Sequence, residues 1–182
     1  MHPDSQYIHA DNAALIFDEL KFRSLTVKNR LFRSNISGQF DDYNGHGGNA
    51  RLNWEEKFAR GGIGCIISSF TPVSVRGRIL VRYAMIDDDD KIPFWREVGR
   101  RVHSHDCRFI MQLSHSGRQQ DMGGVENLFN RGLSSTNKSD YFHGLLAQAM
   151  TKPEIAEVVE QFAQGARRAR EAGARRCRAA RC

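Results

Sequence analysis

The stretch that decides the fold is residues 63–70, which read IGCIISSF. Apolar and β-branched residues follow one another here without the strict alternation of a half-exposed strand, and this pattern is typical of a strand that is covered on both faces. Strands of that kind occur in parallel sheets. Because parallel neighbours need a long crossover connection, the flanking sequence is expected to supply helices and further strands.

The sequence on the N-terminal side of this strand predicts one helix and one more strand. Asn53 and Glu56 have the spacing of a capping box, and the glycine pair at 61–62 supplies the end of the helix. Residues 31–36, LFRSNI, predict a first core strand. Between them, residues 41–49 are rich in Gly, Asn and Asp and predict a loop.

The sequence on the C-terminal side repeats the pattern. Pro93 suits the first turn of a helix whose apolar face carries Trp95, Val98 and Val102. Residues 108–113, RFIMQL, predict a third strand. A loose alternation over residues 17–28 predicts a short hairpin in front of the whole unit.

A last helix is predicted from a second capping box, Thr151 to Glu154, with an apolar stripe that runs to Ala169 and a stop at Gly173. Strands that alternate with helices indicate repeated βαβ units, in either an open doubly wound sheet or a (β/α) barrel. Residues 116–150 have little periodicity and are long for a connector, so we expect a functional or partner-facing loop at the carboxyl edge of the sheet.

Several segments, taken in order, resemble the old yellow enzyme family of NADH:flavin oxidoreductases. They read LTVKNR at 25–30, FARGGIG at 58–64 and QLSHSGR at 112–118, and the last is the most specific. LSST at 133–136 and the helix at 154–173 add to the likeness. The resemblance therefore extends from about residue 15 to residue 173.

The resemblance implies an incomplete TIM (β/α)8 barrel: about its first three βα units, with an N-terminal hairpin, over residues 15–174. It implies bound FMN, with NADH or NADPH as reductant and hydride transfer through the flavin to an activated alkene. Gln112 matches the family glutamine at the pyrimidine edge of the flavin, a role that suits an amide because it offers a donor and an acceptor. The other cofactor-side residues that the resemblance implies are Asn35, Ile36, Ser37, Ser69 and Phe70.

Other polar features have ordinary structural interpretations beside the functional ones. His115 and Arg118 are substrate-side candidates, yet a structural histidine and an arginine that anchors the long loop explain them as well. Glycines within residues 61–64 end a helix before a strand, which is the reverse of a dinucleotide fingerprint. Four carboxylates at residues 87–90 precede a helix and are expected to be solvated, and no metal is assigned.

The composition favours a cytoplasmic globular protein, and the family resemblance implies that its substrate is a small molecule. The chain has 182 residues, is 40% hydrophobic and has a net charge of +6, but four of its 27 basic residues lie in the last eight positions. The remaining 23 face 21 acidic residues, so the body lacks the basic surface of a nucleic-acid binder. Neither a leader nor an apolar membrane span is apparent. Cysteine spacing fits no disulfide framework, and Cys65 and Cys107 are expected to be reduced and buried.

Two terminal segments stand apart. Residues 1–14 are expected to be a flexible N-terminus, and residues 175–182, RRCRAARC, read as an aberrant basic tail. Codons that permit this tail spell Asp-Gly-Val-Glu-Leu-His-Gly when they are read one nucleotide later, which is how the family continues. We therefore expect a frameshift, with the family's His pair and Tyr missing and activity impaired. The alternative is a non-catalytic barrel fragment that acts only through partner binding.

Overall fold

The computed structural model describes residues 15–120 and 124–174 in full and residues 176–179 as backbone only. The predicted flexible N-terminus, residues 1–14, lies outside the described residues. The first described feature is the predicted hairpin. Strand β1 (Leu20–Phe22) pairs antiparallel with β2 (Leu25–Val27), with Leu20 opposite Val27.

The main sheet has four parallel strands and confirms the parallel sheet predicted from residues 63–70. Its members are β3 (Phe32–Arg33), β4 (Cys65–Pro72), β5 (Arg108–Ser114) and β8 (Arg176–Ala179), in the order β3-β4-β5-β8. Strand β3 is shorter than predicted, because the backbone leaves the ladder after Arg33. Strand β8 falls within the tail that we interpret as frameshifted, and that interpretation stays a prediction.

Helix α1 (Asn49–Arg60) begins five residues earlier than the sequence indicated, because a cap at Asn53 would start the helix at Trp54. The capping box assigned to Asn53 is wrong, because Gly48 is the N-cap and no side chain caps this helix. The earlier start adds the turn that carries the buried Arg51. The predicted end is confirmed, with Gly61 as the C-cap and Gly62 at a φ of 92°, a conformation that favours glycine.

Helices α2 (Ile92–His103) and α3 (Lys152–Glu171) begin as predicted. Pro93 lies in the first turn of α2. At the start of α3, Thr151 and Glu154 form both bonds of the capping box, with the Thr151 N–H 2.8 Å from the Glu154 carboxylate. These caps satisfy backbone groups that the helix itself leaves without partners.

The core lies between the helices and the strands β4 and β5. Trp95, Val98 and Val102 of α2 are buried as predicted. Trp95 packs near Phe109 of β5, with ring centroids 6.1 Å apart, and its indole N–H donates to the Met85 carbonyl at 2.7 Å. A buried indole thereby keeps a partner, as burial of a polar group requires.

The predicted apolar stripe of α3 is only partly buried. Ala169 is fully buried and Phe162 packs at the edge of the core, but Ile155 is 47% and Val159 64% exposed. The N-terminal half of this helix therefore presents apolar side chains that the described part of the chain does not cover. None of the helices described is both long and apolar enough to cross a membrane.

The segment 116–150 contains more regular structure than its sequence suggests. Strands β6 (Gly132–Ser134) and β7 (Ala147–Ala149) pair in parallel within it. The two cysteines of the sheet region match expectation, since Cys65 and Cys107 are buried and free. Burial raises the pKa of each thiol to about 12. The side chains of Cys177 and Cys182 lie outside the described residues.

Candidate functional site

Strands β4 and β5 bring Phe70 and Gln112 side by side near the carboxyl edge of the sheet, where the two residues are register partners. The Phe70 ring stacks on Tyr83 with centroids 6.4 Å apart. Gln112 is only 8% exposed, yet its Oε1 has no hydrogen-bond partner among the described residues. Leaving a buried acceptor unpaired costs about 1–3 kcal/mol, so the Gln112 amide oxygen is free to accept a hydrogen bond from a ligand at this edge of the sheet.

Ser69 is buried inside β4, and its carbonyl oxygen accepts from two hydroxyls. The Ser68 hydroxyl donates to it at 2.8 Å and the Thr71 hydroxyl at 3.2 Å. The strand continues to Pro72, so the expectation that Ser69 and Phe70 end it is wrong by two residues. The pairing with β5 is irregular between Ile67 and Phe70 and then continues to Pro72, opposite Ser114.

Asn35, Ile36 and Ser37 lie on a loop beyond β3 and not at a strand tip. Ile36 is 56% exposed, and its carbonyl accepts from the guanidinium of Arg33 at 3.3 Å. The Ser37 hydroxyl accepts from the Gln39 N–H at 3.1 Å. Because β3 is the neighbour of β4, this loop and Phe70 belong to the same edge of the sheet.

A buried ion network underlies that loop, and sequence reasoning did not find it. Glu55 of α1 pairs with Arg33 of β3 and with Arg51 one turn earlier, where the Arg51–Glu55 distance is 3.3 Å. Arg51 also pairs with Asp41, whose carboxylate accepts from the Ala84 N–H at 2.9 Å. All four charged side chains are buried, and each has at least one oppositely charged partner.

His115 is buried just past the end of β5. Its Nδ1 accepts from the Gly117 N–H at 3.1 Å, which requires an unprotonated Nδ1. Burial lowers the imidazole pKa, and the positive charge of Arg76 lowers it further. A Cβ on Gly77 would lie 2.4 Å from the ring, so a glycine is needed beside it. The structure therefore makes His115 a neutral, tightly packed imidazole.

Arg118 lies on the opposite side of the site from β3. Its guanidinium donates to the Ser134 hydroxyl at 3.0 Å, which ties the end of β5 to β6. It lines a cavity of about 850 Å³ that is open to solvent, and Gln112 is not among the lining residues. The structure thus brings Phe70 and Gln112 together and places Arg118 in a neighbouring cavity, whose other polar lining residues include His115, Ser134, Asp140 and Ser116, the last of which also lines a small pocket beside Phe70.

Two hydroxyl residues of this edge were missed. Ser68 is fully buried and its Oγ accepts from the Gln112 backbone N–H at 2.9 Å. Ser116 is 8% exposed and its Oγ has no hydrogen-bond partner in the described part of the chain. The available signal for Ser68 was a serine pair inside an otherwise apolar strand, since a buried hydroxyl needs a partner.

The acidic run at residues 87–90 makes ordinary ion pairs. Asp87 pairs with Lys91 at 2.9 Å, and Asp90 lies 3.2 Å from His46. Within the residues that the structure describes, no group of three or more His, Cys, Asp or Glu side chains could hold a metal ion.

Known proteins resemble this chain along most of its length. The model of the NADH:flavin oxidoreductase / NADH oxidase family matches residues 15–176. An NADPH dehydrogenase of Geobacillus sp. is 31% identical over 163 residues, which cover 87% of this chain and 45% of that protein. The NADH oxidase of Thermoanaerobacter brockii is 28% identical over 158 residues, 86% of this chain and 24% of that protein.

Solved structures share the fold. The old yellow enzyme of Pichia sp. superposes with a TM-score of 0.81 at 19% identity, covering 91% of this chain and 45% of that one. The homologue from Zymomonas mobilis gives 0.76 at 21% identity, covering 90% and 47%. These likenesses confirm the α/β fold class and identify the open sheet as part of a TIM barrel.

The chain spans less than half the length of these relatives. What it does span matches continuously, from the N-terminal hairpin through α3. The chain belongs to the NADH:flavin oxidoreductase / NADH oxidase family.

Proposed function

We propose that residues 15–174 are the N-terminal part of an FMN-dependent oxidoreductase and form the side of its site that faces the pyrimidine edge of the flavin. The observation that carries the proposal is the Gln112 side chain, buried at the sheet edge with an unpaired Oε1. In this reading the chain acts on a small molecule in the cytoplasm. NADH and NADPH are both candidates for the reductant, since the relatives' names include each.

The residues at this edge fit a flavin. A primary amide matches a ring edge that presents both carbonyl oxygens and an N–H. Phe70, register partner of Gln112, supplies an apolar neighbour for the ring system. The loop at Asn35, Ile36 and Ser37 follows the adjacent strand β3 and would lie on the other side of the ring. The chemistry that bound FMN would supply is hydride transfer from the nicotinamide to an alkene conjugated to a carbonyl.

The chain's own residues would orient and shield the ring. Gln112 would fix the in-plane position of the pyrimidine edge. The neutral His115 would keep its place beside Gly77 and Gly117 through the accepted hydrogen bond and would not supply a charge. The family resemblance assigns the substrate-carbonyl donors and the phosphate site to sequence beyond residue 174, so we propose that the 182-residue chain alone is impaired in turnover.

Flavin binding by the 182-residue chain tests the proposal. Quenching of FMN fluorescence and the visible absorption of the complex report binding without turnover. Gln112→Leu keeps the volume and removes the amide, and we expect it to weaken FMN binding by about ten- to a hundredfold, the equivalent of one or two hydrogen bonds.

Gln120→Leu is the matched control. Gln120 is equally buried and its Oε1 is also without a partner among the described residues, but it lies beyond the strand edge and bonds to the Asn130 carbonyl. We expect FMN affinity within about twofold of the parent chain, since no proposed ligand contact is lost. Equal losses in both variants, or no FMN binding by the parent chain, would refute the flavin proposal.

A second candidate function rests on the exposed apolar side of α3. Ile155 and Val159 are largely uncovered, and a surface of this kind favours contact with another protein. The chain would then be a non-catalytic barrel fragment that binds a partner. A colourless, stable complex supports that reading, and a stoichiometric yellow protein supports the first.

A further inference from the structure

The pairing of β4 with β5 is interrupted at one place, directly before Gln112. Ile67 is the partner of Ile110, and the next partners are Phe70 and Gln112. Two residues of β4, Ser68 and Ser69, therefore stand opposite the single residue Met111. Such a bulge disrupts the backbone ladder locally and re-aims the side chains that follow it.

Where the backbone ladder is interrupted, a side chain supplies the hydrogen-bond acceptor. The Gln112 N–H donates to the Ser68 Oγ at 2.9 Å, across 44 residues of sequence. The Ser68 hydroxyl donates in turn to the Ser69 carbonyl at 2.8 Å. Both serines are fully buried, so water does not compete for either bond. The Gln112 N–H thus bonds to a hydroxyl within the bulge, while the residue stays in register with Phe70 of β4 and Arg178 of β8.

Gln112 combines a bonded main-chain N–H with an unpaired side-chain oxygen. The main chain of Gln112 is anchored by Ser68, while the Oε1 at the end of its side chain is unpaired. Binding groups need a rigid support of this kind, because a shift of about 0.5 Å already weakens a directed contact. Ser68 does not itself reach the ligand in this scheme.

We propose that Ser68 is a positioning residue for Gln112, whose hydroxyl sets where the side-chain amide meets the flavin. The inference rests on the proposed FMN function. It assigns the serine pair of residues 63–70 a purpose beyond strand formation: the bulge removes a backbone acceptor, and the Ser68 hydroxyl replaces it.

The test compares two buried hydroxyls of one cluster in the full 182-residue chain. Ser68→Ala removes the acceptor of the Gln112 N–H. Thr71→Val removes a hydroxyl 3.2 Å from Ser68 Oγ that has no bond to Gln112. We expect Ser68→Ala to weaken FMN binding about tenfold, the equivalent of one hydrogen bond, and Thr71→Val to change it less than about twofold.

A double-mutant cycle distinguishes positioning from general destabilisation. If Ser68 acts through Gln112, Ser68→Ala has no further effect on FMN affinity once Gln112→Leu is present. An undiminished loss in that background overturns the inference, and so does parent-like affinity of a folded Ser68→Ala chain. If Ser68→Ala does not fold, Ser68→Cys takes its place, and we expect a smaller loss because the thiol is a weak acceptor.

A flavin-free measurement keeps the two proposals separate. We expect Ser68→Ala to move the side-chain amide resonances of Gln112 in the NMR spectrum of the protein alone, and Thr71→Val to leave them in place. If the parent chain binds no FMN, the proposed function fails, and these resonances alone decide on Ser68. Unmoved Gln112 resonances in Ser68→Ala overturn the positioning role whatever the flavin result.

Discussion

Two groups of buried polar residues lie at the same end of this molecule and differ in how they are satisfied. Under the loop after β3, Glu55 stands between two arginines, and Asp41 accepts from a third element through the Ala84 N–H. At the tips of β4 and β5, Gln112 Oε1 and Ser116 Oγ have no partner among the described residues. Every charged side chain of the first group has an oppositely charged partner, although the Arg33 Nε has no hydrogen-bond partner among the described residues, and the second group is open because its acceptors have none.

We propose that the difference separates a structural role from a binding role. A buried charge without a partner is too costly to persist, so the ion network exists to hold α1, β3 and their loops in one arrangement. Unpaired neutral acceptors cost less, and a protein retains them where a ligand completes the bonds. The variants below test whether removing a polar group lowers the free energy of unfolding in the first group and raises it in the second.

The largest effect is expected from Glu55→Gln. This change removes the central negative charge and leaves Arg33 and Arg51 buried without their shared partner. We expect a loss of about 3–5 kcal/mol in the free energy of unfolding, the usual consequence of breaking a buried pair from one side. Urea denaturation followed by circular dichroism measures it.

Glu97→Gln is the control for that variant. Glu97 also pairs with two arginines, Arg100 and Arg101, but on the open face of α2. Solvent screens such pairs, so its free energy of unfolding should stay close to that of the parent chain. A loss at Glu97 that equals the loss at Glu55 would contradict the distinction between the two environments.

The sequence predicted what depends on local pattern and missed what depends on distant contacts. The parallel sheet, the hairpin, the helix start at Pro93 and the capping box at Thr151 follow from short-range rules, and the structure confirms them. The start of α1 was wrong by five residues, because the capping box proposed at Asn53 implied a helix from Trp54, whereas the helix begins at Asn49. Nothing local to Asn53 signals the earlier turn.

Residue types alone could not show how the site is supported. Gln112 was identified through a family motif, and its burial with an unpaired oxygen agrees with a ligand-facing position. Its dependence on Ser68 spans 44 residues and arises from a bulge, which no spacing in the sequence indicates. The ion network is partly local, since Arg51 and Glu55 are i,i+4 neighbours on α1, but the pair between Glu55 and Arg33 joins α1 to β3 across 22 residues and has no signal in the sequence.

In the flavin-free protein, Gln112→Leu should raise the free energy of unfolding, whereas Glu55→Gln lowers it. The parent chain buries an amide oxygen without a partner, and leucine replaces it by apolar surface of similar volume. We expect the free energy of unfolding to rise by about 1 kcal/mol, although the same change weakens FMN binding. A clear destabilisation would mean that the amide has a structural partner and that the open group is not open.

Protonation of His115 is expected to have a smaller effect on the free energy of unfolding. Burial, and then Arg76, lower its pKa in the folded chain, so the unfolded chain takes up a proton more readily. The stabilisation that this residue contributes is therefore present above its ordinary pKa and is lost as the pH falls through that value. We expect acidification from about pH 8 to about pH 5.5 to destabilise the parent chain more than His115→Asn, by up to about 1 kcal/mol.

His115→Asn is suited to this comparison because the asparagine oxygen can accept from the Gly117 N–H as Nδ1 does. Thermal unfolding at several pH values measures the difference between the two proteins. A larger loss of stability in His115→Asn on acidification would show that the imidazole is held in its charged form, against the geometry at Gly117.

The smallest effect is expected from Ser116→Ala, which removes the second unpaired acceptor of the open group. No hydrogen bond is lost among the described residues, so the free energy of unfolding should stay within about 0.5 kcal/mol of the parent or rise slightly. Ser134→Ala, which removes the acceptor of Arg118 3.0 Å away, should instead cost about 1 kcal/mol. Both serines are buried and line the same cavity. The difference between the stability losses of the two variants therefore reports the presence of a hydrogen-bond partner and not burial. If Ser116→Ala proves as costly as Ser134→Ala, an unpaired hydroxyl at this edge no longer marks a place for a ligand.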